Sequence, residues 1–499
     1  MKINSDREDK SMKDKKMTWY TLALMAFSGV WGFGNVINGF SEYGGIKAIV
    51  PWLIIFGLYF IPYVLMVGEL GSAFKSSGGG VSSWILETIG PRMAYYAGWT
   101  YWVVHMPYIS QKPNSVMIAG SWALFQDNRI SSMNPLIMQC ICLVIFIISL
   151  MLASRGISIL KKLASIAGST MFIMSILYIL LMMAAPAITS ADTIAIDWSF
   201  KTFAPTFDLK FFTGLSILVF AVGGCEKISP YVNRMKNPSR DFSKGMIALT
   251  IMVAVCAILG TISMGMMFDS NNVPQDLMTN GAYYAFGKLG DYYGVGNLFV
   301  IAYAVTNLIG QFSVLIMSID APLCILLDSG DRSYIPESLF KQNKHGAYVQ
   351  GHKLILIIVG ILIIVPAFGI GSVDQLVRWM VKVNSVCMPL RYLWVFVAYI
   401  ALKRSAEKFP AEYHFVKSKW LGIFFGGWCF IVTAAACIGG IYSENPFELM
   451  LNILTPVILL LLGFILPKTA RREIRKEKNG YTGKKEDYPR RRLLIKRSR

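Results

Sequence analysis

The chain has 499 residues, 55% of them hydrophobic and only 15% charged, with a mean hydropathy of +0.51 and a formal net charge of +19. A soluble protein of this length carries far more charge and much shorter apolar runs, so soluble enzymes and soluble binding modules are excluded. Crossing a hydrocarbon core about 30 Å thick takes roughly 20 apolar residues in helical form. Runs of that kind recur along almost the whole sequence, which predicts an all-α polytopic membrane protein.

The first seventeen residues are polar and charged, without an apolar core or a small-residue cleavage site. They read as a basic tail (1–17) and not as a cleaved signal peptide. Twelve transmembrane helices follow, at 18–41, 46–73, 93–125, 134–153, 158–186 and 209–231 in the first half and at 244–268, 296–327, 354–371, 373–402, 420–442 and 446–467 in the second. A second basic tail covers 468–499, and the polar stretches between spans read as loops. Several spans exceed the minimum length, which tilt accommodates. The eight cysteines are scattered, mostly inside apolar segments, and suit neither a zinc site nor a disulfide framework.

Lys and Arg fix the orientation. Lys10, Lys13, Lys15 and Lys16 precede the first span, and Arg471, Arg472, Arg475 and Arg490 to Arg492 follow the last. Basic loops alternate between them, as at Arg155 to Lys162, Arg234 to Lys244 and Lys403 to Lys419, whereas 269–293 is balanced by Asp269, Asp276 and Asp291. The positive-inside rule places both termini in the cytoplasm. The charge is accounted for by this topology and by attraction to anionic lipid headgroups, so no nucleic-acid partner is expected. The localisation expected is the cell membrane, multi-pass, in a bacterial inner membrane.

Two spans are interrupted by glycine. Span one contains FSGVWGFGN, Phe27 to Asn35, with Gly29, Gly32 and Gly34, and span six contains FAVGGCE, Phe220 to Glu226. These are corresponding positions if the chain holds two five-helix repeats, and such matched interruptions point to a transporter site. Unwinding a helix in the membrane frees N–H and C=O groups that lipid cannot satisfy. A zwitterion can: a carboxylate suits the N–H groups of a half-helix N-terminus, and an ammonium suits freed carbonyls. The alternative is that the glycines only allow close helix packing.

Further motifs carry a family resemblance. KNPSRDF follows an EK…Y run on span six; SIDAPLCILLDSGDRSYIPESLFKQNKHG covers Ser318 to Gly346; GELGSAFKSSGGGVSSW covers Gly68 to Trp84. WTYWVVHMPY in span three and RYLWVFVAYIALKR in span ten have counterparts too. Over residues 18 to 467 the chain resembles the amino acid–polyamine–organocation superfamily, within it the glutamate:GABA antiporter family, and there the branch labelled YjeM. The resemblance implies a LeuT-like 5+5 inverted repeat, with repeat one at 18–186, repeat two at 209–402 and two peripheral helices at 420–467. It also implies an amino acid held between the breaks. The backbone of Gly29, Val30, Trp31, Gly32, Phe33 and Gly34 would face its carboxylate. That of Phe220, Ala221, Val222, Gly223 and Gly224 would lie at its amine, with Phe220 at the position of an aromatic gate. Transport without sodium is implied as well. The sequence departs from the family pattern where Val30, Trp31 and Phe33 make the span-one motif bulky and where Lys227 follows Glu226.

Charges inside spans mark functional sites by default. Glu226 matches the family's span-six glutamate and is a candidate for coupling to protons or for a structural anchor. Lys227, Asp320 of span eight and Lys382 of span ten are the other candidates for coupling or for compensating intramembrane charge, with Lys112, Arg378 and Arg391 nearby in the same group of spans. Lys382 is expected to compensate an acidic substrate or to pair with Glu226 or Asp320. His105 of span three reads as a satisfied core histidine, with proton sensing as its alternative. No phosphate-cradling glycine loop, metal cluster or catalytic constellation is present, so no cofactor, no metal and no enzymatic activity are expected. The reading is a secondary amino acid antiporter of glutamate/GABA type working by alternating access. A proton-coupled symporter is the first alternative, and a non-transporting membrane sensor is the one from another class.

Overall fold

The computed structural model describes residues 18–75, 80–155, 158–189, 192–235, 237–328 and 333–480. These form helices and connecting segments, with an isolated β-bridge between Gln342 and Tyr348. Ten helices among the described residues are long and apolar enough to cross a membrane. The two remaining predicted spans are also helical. Span one is divided into Trp19–Val30 and Phe33–Glu42, each too short alone. Span three joins Pro91–Val103 to His105–Phe125 and carries His105, Gln111, Lys112 and Asn114 among its apolar residues.

Local chemistry starts and interrupts these helices. Asn134, Asp208, Ser372 and Asn445 each accept a backbone N–H at the start of a span, satisfying donors that a helix N-terminus leaves open. Span six runs as Leu209–Val222, breaks at Gly223 and Gly224, and continues as the tighter segment Cys225–Arg234. Span ten is divided at Pro389 into Val373–Cys387 and Leu390–Arg404. Interruptions thus fall in the first span of each half, the arrangement of a LeuT-like five-plus-five fold. Spans eleven (Lys419–Gly440) and twelve (Pro446–Leu462) stand at the periphery. Trp420, Ile431, Ile438 and Ile458 on these two spans are exposed, as are Ile148 of span four and Ile357 of span nine, which gives the bundle an apolar face for lipid.

Span seven, Pro238–Gly265, holds both halves of span one in place. A Cβ at Gly245 would come within 2.8 Å of Leu22, and one at Gly260 within 2.8 Å of Val36, so glycine lets the helices touch on either side of the break.

Two segments between spans differ from the sequence expectation of loops. Gly80–Thr88 is a helix, and 269–293 contains the helix Leu277–Tyr292. The latter buries Leu277, Ala282, Phe286 and Leu289 against span eight and Phe33–Glu42. It keeps polar residues on its other face, so averaged hydropathy hides it. The tail placed at 468 begins inside the helix Ile465–Gly480, and 1–17 lies outside the described residues.

The GEL motif closes one end of the bundle. The buried Glu69 carboxylate accepts from Lys403 Nζ at 2.5 Å, Tyr399 OH at 2.8 Å and the Phe415 N–H at 3.0 Å, and it contacts His414 Nδ1 at 3.2 Å. Beside it, Ser72 Oγ accepts the N–H groups of Glu412 and Tyr413, and Lys75 pairs with Glu412 at 2.6 Å. Span two is thereby tied to span ten and to the connection before span eleven.

Candidate substrate site

The first half-helix of span one ends at Val30. Trp31 and Gly32 are extended (φ −112°, ψ 141° and φ −148°, ψ 156°), and Phe33–Glu42 then begins with no side chain capping it. Its first N–H groups are therefore open to a ligand. A Cβ at Gly32 or Gly34 would meet nothing within 4 Å, so both positions face open space.

In span six, Gly224 adopts φ +109°, a conformation glycine favours. Gly223 is required for a different reason: a Cβ there would overlap the ring of Tyr392. Asn35 joins the two breaks, its Nδ2 donating to Ala221 O at 3.2 Å and to Val30 O at 3.4 Å. This amide satisfies one carbonyl freed on each side.

Between the breaks lies a cavity of about 360 Å³, with walls from spans one, three, five, six, eight and ten and from the helix Leu277–Tyr292. Its lining extends through Asn38, Thr279 and Val377 at the side of that helix, and ends on Lys227, Arg391 and Tyr392. Three cationic side chains border it, Lys112, Lys227 and Arg391, and no aspartate or glutamate does so among the described residues.

The cations differ in their partners. Arg391 is fully buried; its Nε lies 3.2 Å from Glu226 Oε1, an ion pair without hydrogen-bond alignment. Its Nη1 meets His105 Nε2 at 2.7 Å, and its Nη2 donates to Tyr392 OH at 3.3 Å. The other Glu226 oxygen accepts from Tyr63 OH at 2.6 Å. His105 Nδ1 lies 2.6 Å from Tyr101 O, which can only accept, while the guanidinium can only donate. These partners assign a neutral imidazole protonated on Nδ1. Lys112 Nζ donates to Gln311 Oε1 at 2.9 Å and sits 4.3 Å from the Tyr108 ring centroid, with no carboxylate partner among the described residues. Gln311 continues to Asn307 at 2.9 Å, and Asn307 to Tyr283 OH at 2.8 Å. The Lys227 backbone N–H donates to Gly224 O at 3.1 Å, while its side-chain Nζ makes no hydrogen bond and no ion pair with any described residue.

The residues singled out from sequence are distributed as follows. Val30, Trp31, Gly32, Phe33, Gly34, Phe220, Ala221, Gly223 and Lys227 line the cavity. Gly29 lies in the last turn of the first half-helix, and Val222 is packed inside the protein. Gly224 borders Arg391 and Lys227. Glu226 does not line this cavity; it pairs with Arg391, which does. The Asp320 side chain lies outside the described residues. Lys382 does not pair with Glu226, whose partner is Arg391. Lys382 and Arg391 are nine positions apart in span ten, about 13 Å of helical rise, and Lys382 is instead in electrostatic range of Glu42. Asn35, Tyr63, Tyr392, Asn307 and Gln311 escaped the sequence reading. The position of Asn35 directly after a Gly-x-Gly break was the one available signal for any of them.

A helical bundle with two broken spans around a polar cavity is the structure of a polytopic membrane transporter. The chain belongs to the amino acid permease family, whose model matches residues 17–462. It is 49% identical over 477 residues to the aspartate/glutamate permease AcaP of Lactococcus lactis subsp. cremoris, covering 93% of this chain and 97% of that protein. The inner membrane transporter YjeM of Escherichia coli is 24% identical over 420 residues, 77% of this chain and 81% of its own length. A glutamate/gamma-aminobutyrate antiporter of Lactococcus lactis subsp. lactis is 23% identical over 373 residues, 73% of this chain and 72% of its own.

Proposed function

We propose that the protein is a secondary transporter of acidic amino acids, aspartate and glutamate, working by alternating access across a bacterial plasma membrane. Both basic tails lie in the cytoplasm, and 18–186 and 209–402 act as inverted repeats. The observation that carries the substrate class is the charge of the cavity: three bordering cations, only one of them compensated by a protein carboxylate. A dicarboxylic amino acid supplies what is missing. Its α-carboxylate meets the open N–H groups of Phe33 and Gly34, and its ammonium meets the carbonyl end of Leu209–Val222. Its side-chain carboxylate goes to Lys112 and Lys227. In this orientation the cavity opens outward through Asn38, Thr279 and Val377, and the cluster of Glu226, Arg391, His105 and Tyr63 closes the inward path. The 49% identity to an aspartate/glutamate permease supports the same class.

Exchange of glutamate for γ-aminobutyrate is less well supported. That compound has one carboxylate, and with it on span one the distal ammonium would approach Lys112 or Lys227. In proteoliposomes, labelled aspartate is expected to be displaced by unlabelled glutamate and not by γ-aminobutyrate at concentrations at least about tenfold higher, the effect of about 1.4 kcal/mol. Equal displacement by both would remove the acidic-substrate reading. Preloading with aspartate separates exchange, which it accelerates, from strict symport.

A further inference from the structure

Lys227 borders two separate spaces. On one side is the main cavity. On the other is a crevice of about 10 Å³, formed with Tyr101 of span three and Glu226 and Ser229 of the second half of span six. A space of that size is at the lower limit for one water. Arg391 lines the main cavity and its ion-pair partner Glu226 lines the crevice, with the Tyr63 hydroxyl donating to Glu226. The charged and titratable groups around Lys227 are Glu226 and Cys225 on its own segment and Tyr63 of span two. Span three presents Tyr101, His105 and Lys112, and span ten presents Arg391 and Tyr392. Glu226, the only carboxylate in this group, is already engaged by Arg391 and Tyr63.

We infer that Lys227 is the proton carrier of the transport cycle, taking up one proton from the outer side with each acidic substrate and releasing it to the inner side. This rests on the acidic-substrate reading. The Lys227 amine binds a proton that enters through the main cavity, becoming an ammonium, and the substrate carboxylate then pairs with it. An anion at this distance favours the charged form. After the bundle opens inward the substrate leaves, and the ammonium is left beside the Arg391 guanidinium with no anion of its own. It gives its proton to water at the crevice side and returns as the neutral amine. One proton moves with one substrate of net charge −1, so the cycle is electroneutral. Exchange needs no proton release, because the incoming acidic substrate replaces the outgoing one on the ammonium.

The test is accumulation of labelled aspartate in proteoliposomes with and without an inside-alkaline pH gradient, in the wild type and in Lys227→Arg, whose guanidinium stays charged. The wild type is expected to accumulate roughly tenfold more aspartate per pH unit of gradient, with no response to an imposed membrane potential. In Lys227→Arg the ratio of accumulation with to without the gradient is expected to fall to about one, whatever counterflow rate remains. A gradient response in Lys227→Arg equal to the wild type would overturn the assignment. Should that variant prove inactive, the wild type decides alone: an internal pH dye must report one proton entering per aspartate, and uptake without proton entry would refute the carrier role. Wild-type aspartate counterflow without a gradient is the control for the substrate class. Its absence refutes that reading, whereas its presence without any gradient response refutes only the role of Lys227.

Discussion

Replacement of Gly223 by leucine is expected to reduce amino acid uptake to background while leaving the protein inserted in the membrane. At this position even a methyl group would overlap the Tyr392 ring. Tyr392 cannot retreat freely, because it is buried, its hydroxyl accepts from Arg391 Nη2, and its ring packs 5.6 Å from that of Tyr63. Overpacking of this kind costs about 1–3 kcal/mol for a small addition, enough to shift a conformational equilibrium by roughly 5- to 150-fold, and leucine adds more than a methyl. Gly32 offers a contrast, since a Cβ there meets nothing. Gly32→Ala should therefore insert and retain the fold, and Gly32→Leu should lose uptake by filling the space the substrate needs. Uptake by Gly223→Leu at the wild-type rate, in protein of normal abundance and monodispersity, would show that the span-six break is only a packing device.

A second large effect is expected at Glu226. Its carboxylate is the one acidic partner of the buried Arg391. Removing one member of a buried pair leaves the other charge uncompensated and costs about 3–5 kcal/mol. Glu226→Ala should accordingly lower the melting temperature and the yield of folded protein, beyond any effect on transport. Glu226→Gln keeps an acceptor for Tyr63 and should be less damaging. Combining Glu226→Ala with Arg391→Met removes both charges, so the double variant should be more stable than Glu226→Ala alone. Thermal denaturation of the detergent-purified proteins reads this directly, and a double variant less stable than Glu226→Ala would mean that the pair is not the element at stake.

Much of the fold was legible in the sequence because lipid imposes a length and an apolarity on each span that few residues can violate. The violations were informative too. Gly32, Gly223 and Gly224 marked the breaks, although glycine clustering alone does not separate an unwound segment from a close packing contact. What was not legible is which side chains meet across spans. Arg391 and Lys382 are both cations of span ten, and sequence spacing cannot say which one reaches Glu226. The division at Pro389 and the packing of Tyr392 on Gly223 decide it for Arg391. The helix Leu277–Tyr292 was hidden for a different reason, its buried face being too narrow to raise the average hydropathy of its segment. Lys227 stood out from the family pattern as an unexplained charge. The cavity gave it a context, since among the described residues neither Lys112 nor Lys227 has a carboxylate partner.

Residues from seven elements meet at that cavity, and under the proposed function their arrangement would link substrate charge to movement. Lys112 reaches Gln311, which reaches Asn307 and then Tyr283 on Leu277–Tyr292, a helix that forms part of the cavity wall. An anion drawn to Lys112 therefore acts on the same hydrogen-bonded row that holds this helix.

The most direct test of the account is the binding of aspartate and of asparagine to the purified protein, measured by calorimetry in the wild type and in Lys112→Met. The two ligands have nearly the same shape and differ in one charge. A hydrogen bond to a charged group contributes about 1.5–3 kcal/mol, so aspartate is expected to bind at least about tenfold more tightly, with much of that preference lost in Lys112→Met. Equal affinity for aspartate and asparagine in the wild type would contradict the account.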